Sequence, residues 1–158
     1  MTEEQERAAV VKEVRSWCGT PYHHEGTIRG SGVDCGQLVI QSFINAGIEE
    51  PVKTDHYPHD WHMHRGTERY LEWVERYMAL DWDFGRQAKA HYQQLACPPK
   101  PGDLLVWKYG RTYSHGAIVT EWPCFVHAYF PAKRVLEEDL IGHPLMSLPM
   151  RAYSYWSK

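Results

Sequence analysis

Cys35 and two histidines far along the chain are the residues whose types and spacing suit nucleophilic catalysis. Cys35 follows a glycine-rich stretch in Gly32-Val33-Asp34-Cys35-Gly36, and Leu38, Val39, Phe43 and Ala46 recur behind it at helical spacing. The pattern predicts a helix that starts near Cys35 and stops at Gly47. A helix N-terminus carries about half a positive charge, so a cysteine there is expected to ionise more readily than a free thiol. Such a nucleophile needs a base to take its proton and a further group to orient the base. His115 opens one predicted strand and His127 lies in the next, across the Glu121-Trp122-Pro123 turn. Antiparallel pairing of those strands sets the two imidazoles side by side.

The elements that must position these groups fall into two halves. Thr2 with Gln5 reads as a capping box, and Val11, Val14 and Trp17/Cys18 give residues 3–18 one apolar face. Gly19-Thr20-Pro21 stops that helix, and residues 22–34 read as a loop. A third helix is expected after Thr67, with Tyr70, Leu71, Trp73, Val74, Tyr77 and Met78 turned inward. The stretch 80–97 reads ambiguously, as a short helix at most. Beyond Pro98-Pro99-Lys100-Pro101-Gly102 the pattern changes to short apolar runs: Asp103–Trp107, His115–Thr120, Cys124–Phe130, Arg134–Leu136 and Arg151–Trp156. Helices first and a strand meander second argue an α+β fold with an antiparallel sheet, in one domain over 1–158 with an insert at about 49–97.

Composition removes several function classes. The 158 residues are 43% hydrophobic and 13% aromatic, which excludes an intrinsically disordered chain. Twenty acidic residues outnumber 17 Lys and Arg, so no basic excess is available for nucleic acid. No apolar run approaches the ~20 residues of a membrane span. The N-terminus, MTEEQERAAVVKEV, is acidic and lacks an apolar stretch, so a cytoplasmic site of synthesis is expected. Reduced thiols follow from that setting, with Cys18, Cys97 and Cys124 as ordinary thiols.

His59-x-x-His62-x-His64, with His56 and Asp55 or Asp60 nearby, is a weak metal-site candidate. Three such nitrogens hold Zn²⁺ when a loop gathers them. The competing reading is a solvated loop packed by Trp61. Among the tryptophans, Trp61, Trp82 and Trp122 are the ones that could line a groove.

Cysteine, then histidine, then a second polar residue is the arrangement of a cysteine peptidase, and further motifs narrow it. The chain carries Gly19-Thr20-Pro21-Tyr22, Asp34-Cys35-Gly36-Gln37-Leu38-Val39, Pro101-Gly102-Asp103-Leu104, Ser114-His115-Gly116-Ala117-Ile118-Val119 and Val126-His127-Ala128. In order and spacing, from about residue 10 to 130, this resembles the NlpC-type cell-wall peptidases, papain-like cysteine hydrolases of bacteria and their phages. Gly36-Gln37 stands where that family usually has Ser-Gly, and Gly116-Ala117 where it has Val-Gly. Residues 56–77 look like the insert of short members found among phage tail and prophage genes.

The resemblance implies a papain-like fold with Cys35 as nucleophile, His115 as base and then acid, and His127 as its orienting partner. It sets Tyr22 beside the nucleophile, as an oxyanion or substrate contact, and matches Asp34 to the family's acidic residue before the cysteine. The implied substrate is the γ-D-glutamyl to diamino acid amide of peptidoglycan stem peptides, cut without any cofactor or metal. Phage tail proteins are the implied partners and a virion tail the implied location. The same three residues would also serve an amidase or transglutaminase, and a catalytically silent virion module could keep them.

Overall fold

The computed structural model describes residues 1–58, 68–85 and 97–157. Thr2 caps α1 (Glu3–Ser16) as a reciprocal box: its hydroxyl accepts from the Gln5 N–H at 3.3 Å, and the Gln5 side chain accepts from the Thr2 N–H at 2.9 Å. Val10, Val14 and the following Trp17 are buried from one face of that helix. Asp34 caps α2 (Cys35–Asn45), whose Leu38, Val39 and Phe43 are buried. In α3 (Arg69–Tyr77) the buried pair is Leu71 and Val74, one turn apart. Thr67, the expected cap of α3, lies outside the described residues; Glu68 precedes the helix without a side-chain cap.

Between α1 and α2 the expected loop folds into a small hairpin, β1 (Thr27–Ile28) and β2 (Gly32–Val33). The main sheet has six strands: β3 (Ala79–Gly85), β4 (Leu104–Tyr109), β5 (Thr112–Glu121), β6 (Cys124–Tyr129), β7 (Arg134–Asp139) and β8 (Met150–Ser154). All pairs are antiparallel, in the order β3-β8-β4-β5-β6-β7. Alternate residues of a strand face opposite sides. Leu104, Val106, Ile118 and Val126 therefore meet Val10, Leu38 and Phe43 in one core, while Leu105, Trp107, Val119, Phe125 and Met150 form a second core on the far face. Burial on both faces explains why β4 and β5 read as almost unbroken apolar runs. This is the expected α+β arrangement, helices N-terminal and sheet C-terminal.

β3 corrects the reading of 80–97. Ala79–Gly85 is an edge strand along β8 with irregularities at two places, and Leu80 and Trp82 are largely exposed. Lacking one buried face, it shows no usable period. Residues 86–96 lie outside the described residues.

One buried ion pair ties the halves together. Arg7 of α1 meets Asp103 at 2.8 Å, donates to the Pro101 carbonyl at 2.8 Å and lies over the Trp156 ring at 4.1 Å. The other Asp103 oxygen accepts from the Lys100 N–H at 2.8 Å. Pro101-Gly102-Asp103 is thus a brace that fixes where β4 begins, with Gly102 at φ +87° in the tight turn.

Candidate active site

Cys35 sits at the first position of α2, and three donors hold the residue before it. The Asp34 carboxylate accepts from the Gln37 N–H at 2.8 Å, from the Glu25 N–H at 2.7 Å and from the Tyr57 hydroxyl at 2.5 Å. One side chain thus caps the helix, anchors the loop before it and secures the segment after it. Gly19-Thr20-Pro21-Tyr22 runs beside β7: the Gly19 N–H donates to Val135 O, the Val135 N–H to Thr20 O and the Tyr22 N–H to Lys133 O. That pairing delivers Tyr22 to the same cleft, its ring edge-on to Phe130 at 5.4 Å.

The two histidines come from adjacent strands. The β5–β6 register pairs Ile118 with Val126, so its continuation sets Ala117 opposite His127 and His115 diagonal to it on the same face. His115 Nε2 and His127 Nδ1 are 2.9 Å apart, and both rings are buried. The Cys35 sulfur reaches the carbonyl of Ser114, the neighbour of His115, at 3.6 Å. Cys35, His115, Tyr22 and Asp34 line one cleft of about 400 Å³, and His127 stands behind His115. The structure therefore gathers all five residues singled out by sequence around one place. His59, His62 and His64 lie outside the described residues; His56, next to them in sequence, is exposed and bonds Glu25 at 2.9 Å.

The helix start does not lower the Cys35 thiol as expected. Burial pushes it up to about 12, the Asp34 charge adds to the rise, and the N–H groups of Gly116, Gly36 and Cys35 itself pull only partly against them. The half-positive helix end is already engaged by the Asp34 carboxylate, so the thiol loses its proton only as a base receives it. Burial, with His143 second, brings His127 down from the usual 6.5 to about 3, so its ring stays neutral. Burial raises the Tyr22 phenol well above its usual value, and Cys35 and Asp34 add to this; its hydroxyl is therefore a proton-bearing donor.

Three further residues belong to the site. Tyr70, read from sequence as core, points its ring over the nucleophile's helix start: a Cβ on Gly36 would lie 3.6 Å from Tyr70 Cε2, and one on Gly116 would strike the Tyr70 hydroxyl, with Cζ at 2.9 Å. Gly116 thus clears room for a tyrosine carried by the insert, whereas a Cβ at Gly36 would make only an ordinary contact with it. Glu138 and His143 are the others: His127 Nε2 meets Glu138 Oε2 at 2.7 Å and His143 Nε2 meets the same oxygen at 2.8 Å. No motif flagged them, although Glu138 pairs across the strands two positions from the partner of His127. Among the described residues His127, Glu138 and His143 are also the group whose donor atoms, within 4.8 Å of one another, could hold a metal ion; a cation there would have to replace both ring protons.

Residues 19–148 match the model of the NlpC/P60 family. The chain belongs to that family. Its fold is similar to the NlpC/p60 domain of the peptidoglycan hydrolase SagA, at TM-score 0.56 and 23% identity over 94% of this chain and 97% of that one. It is also similar to NlpC2 from Trichomonas vaginalis, at TM-score 0.55 and 14% identity over 97% of this chain and 47% of that one. A lipoprotein-like member of the NLP/P60 family from Staphylococcus aureus gives TM-score 0.55 and 19% identity over 96% and 42%. The chain spans less than half of the Trichomonas and Staphylococcus proteins. No curated protein compared with the chain matches it.

Proposed function

We propose that the protein is a cysteine endopeptidase that hydrolyses the γ-D-glutamyl to diamino acid amide of peptidoglycan stem peptides. The observation that carries the chemistry is the line from Cys35 at a helix start, through His115 in the same cleft, to His127 at 2.9 Å behind it. Membership of the NlpC/P60 family supports the cell-wall substrate. His115 takes the thiol proton as the sulfur attacks the scissile carbonyl carbon. The oxyanion receives hydrogen bonds from the Cys35 N–H and the Tyr22 hydroxyl. His115 then gives its proton to the leaving amine, and a water activated by the same ring cleaves the thioester. His127 orients the ring, and Asp34 builds the helix start. This chemistry needs no metal or other cofactor.

A phage or prophage tail setting, with other tail proteins as partners, is part of the same reading; the likeness of segment 56–77 to short tail-associated members supports it. Among the described residues no helix is long and apolar enough to cross a membrane. The test is mass spectrometry of muropeptides after digestion. Products with a new amino terminus on the diamino acid, absent with Cys35→Ala, are expected. Cleavage at another bond overturns the substrate assignment. Amine-exchanged products in place of hydrolysed ones would favour transglutaminase chemistry.

A further inference from the structure

The hydrogen-bond line does not stop at His127. We propose that Glu138, braced by His143, is a positioning residue that fixes the tautomers of His127 and His115 and stabilises the imidazolium formed on His115. The proposal rests on the reading of Cys35 and His115 as nucleophile and base.

The argument starts from a backbone group whose proton is not in question. The Leu145 N–H donates to His143 Nδ1 at 3.1 Å, so that nitrogen carries the lone pair and the ring proton is on Nε2. His143 Nε2–H then donates to Glu138 Oε2 at 2.8 Å. A carboxylate only accepts, so His127 Nε2 must carry a proton to make its 2.7 Å bond to the same oxygen. Burial keeps His127 neutral, which leaves Nδ1 as its acceptor. His115 Nε2–H donates to that acceptor at 2.9 Å, and in the neutral His115 ring the lone pair is then on Nδ1. That is the nitrogen able to receive the Cys35 proton. When it does, His115 gains a charge without any change in the protons behind it. Nε2–H still donates to His127, whose Nε2–H still donates to Glu138. Preorganised donors that need no rearrangement are the effective kind.

The brace is solid on both sides. His127 is stacked on Tyr129 with centroids 4.6 Å apart, and the Phe125 ring stands edge-on to it at 4.8 Å. Phe125 also packs edge-on against His143 at 5.9 Å. Other titratable groups line the cleft on the His115 side. They are Cys35 at the start of α2 with its cap Asp34, Tyr109 of β4, and Tyr129 of β6, which is also stacked on His127. α3 sets Arg69, Glu72 and Arg76 along the cleft. Glu138 brings a carboxylate to His127, at 2.7 Å.

The experiment is alkylation of Cys35 by iodoacetamide as a function of pH, read by peptide mass spectrometry, alongside kcat and KM on a stem peptide and a thermal melt. Glu138→Gln keeps the shape and removes the charge. Weaker support for the imidazolium slows Cys35 alkylation about tenfold at any given pH below the thiol's midpoint, equivalent to a rise of about one pH unit. The same factor, about tenfold, is lost from kcat with KM unchanged. A folded Glu138→Gln protein whose alkylation profile and kcat superimpose on wild type overturns the proposal. Should Glu138→Gln fail to fold, His143→Ala carries the test: an upward shift of the same sign supports the brace, and an unchanged profile overturns it. His115→Ala separates this proposal from the reading beneath it. If His115→Ala leaves Cys35 alkylation unchanged, the nucleophile–base reading falls. If it slows alkylation while Glu138→Gln does not, only the role of Glu138 falls. Tight Zn²⁺ binding by Cys35→Ala that disappears on adding Glu138→Gln would make the cluster a metal site and overturn the positioning role.

Discussion

Protonation of His127 is expected to couple folding to pH, and the size follows from its surroundings. The ring is fully buried against Phe125 and Tyr129, and burial brings it from the usual 6.5 to about 3. Between those values the unfolded chain binds a proton that the folded protein refuses. Stability from this group therefore rises with pH in that window and is lost as pH falls from about 6.5 toward 3. The slope is about 1.4 kcal/mol per pH unit, so going from pH 7.5 to pH 5 costs about 2 kcal/mol. His127→Gln keeps a polar side chain there and removes the titration. Urea unfolding of both proteins at the two pH values isolates the effect, because the groups common to both cancel in the difference. The wild-type advantage over His127→Gln is expected to shrink by about 2 kcal/mol at the lower pH. An equal difference at both pH values would show that His127 titrates normally and refute the account of a neutral, buried ring.

Other outcomes follow from the same geometry. His115→Ala is expected to lower kcat by ~10²–10⁴-fold, with His127→Ala costing less and His127→Asn or His127→Gln recovering part of that loss; steady-state kinetics on a stem peptide checks this. Gly116→Val drives a side chain into the Tyr70 hydroxyl and should destabilise by about 1–3 kcal/mol, with Tyr70→Ala in the same chain relieving part of the loss in thermal melts. Replacing His59, His62 and His64 together by Ala should leave kcat on a small stem peptide unchanged and insensitive to chelator; loss of kcat restored by zinc would move the chemistry to a metal.

The parts legible in the sequence are those with a local cause. Cap chemistry marked Thr2, helical spacing marked Leu38, Val39 and Phe43, and the doubly buried β4 and β5 announced themselves as apolar runs, while the capping role of Asp34 came only with the fold. Cys35, His115 and His127 were found because each lies in a short motif, Cys35 at the start of α2 and the two histidines within β5 and β6. What stayed hidden depends on contacts between distant segments. β3 is held by its partner β8 and has no periodic face of its own. Arg7 sits on a helix surface by sequence and is buried only because Asp103 and Trp156 meet it. Tyr70 shares the inward stripe of α3 with core residues, and only the sheet decides that its hydroxyl reaches Gly116. The Cys35 thiol was read from the helix dipole and a histidine partner. The neighbouring Asp34 charge and the burial around the sulfur, which outweigh the dipole, come from the fold.

The central claim is that hydrolysis passes through a thioester on Cys35. Its most direct measurement is mass spectrometry of the protein acid-quenched during turnover of a stem peptide, followed by proteolysis to locate the added acyl group. The account predicts the γ-glutamyl fragment attached to Cys35, absent at Cys18, Cys97 and Cys124, and no turnover by Cys35→Ala. Full turnover by Cys35→Ala, or an acyl group carried by another residue, would contradict it.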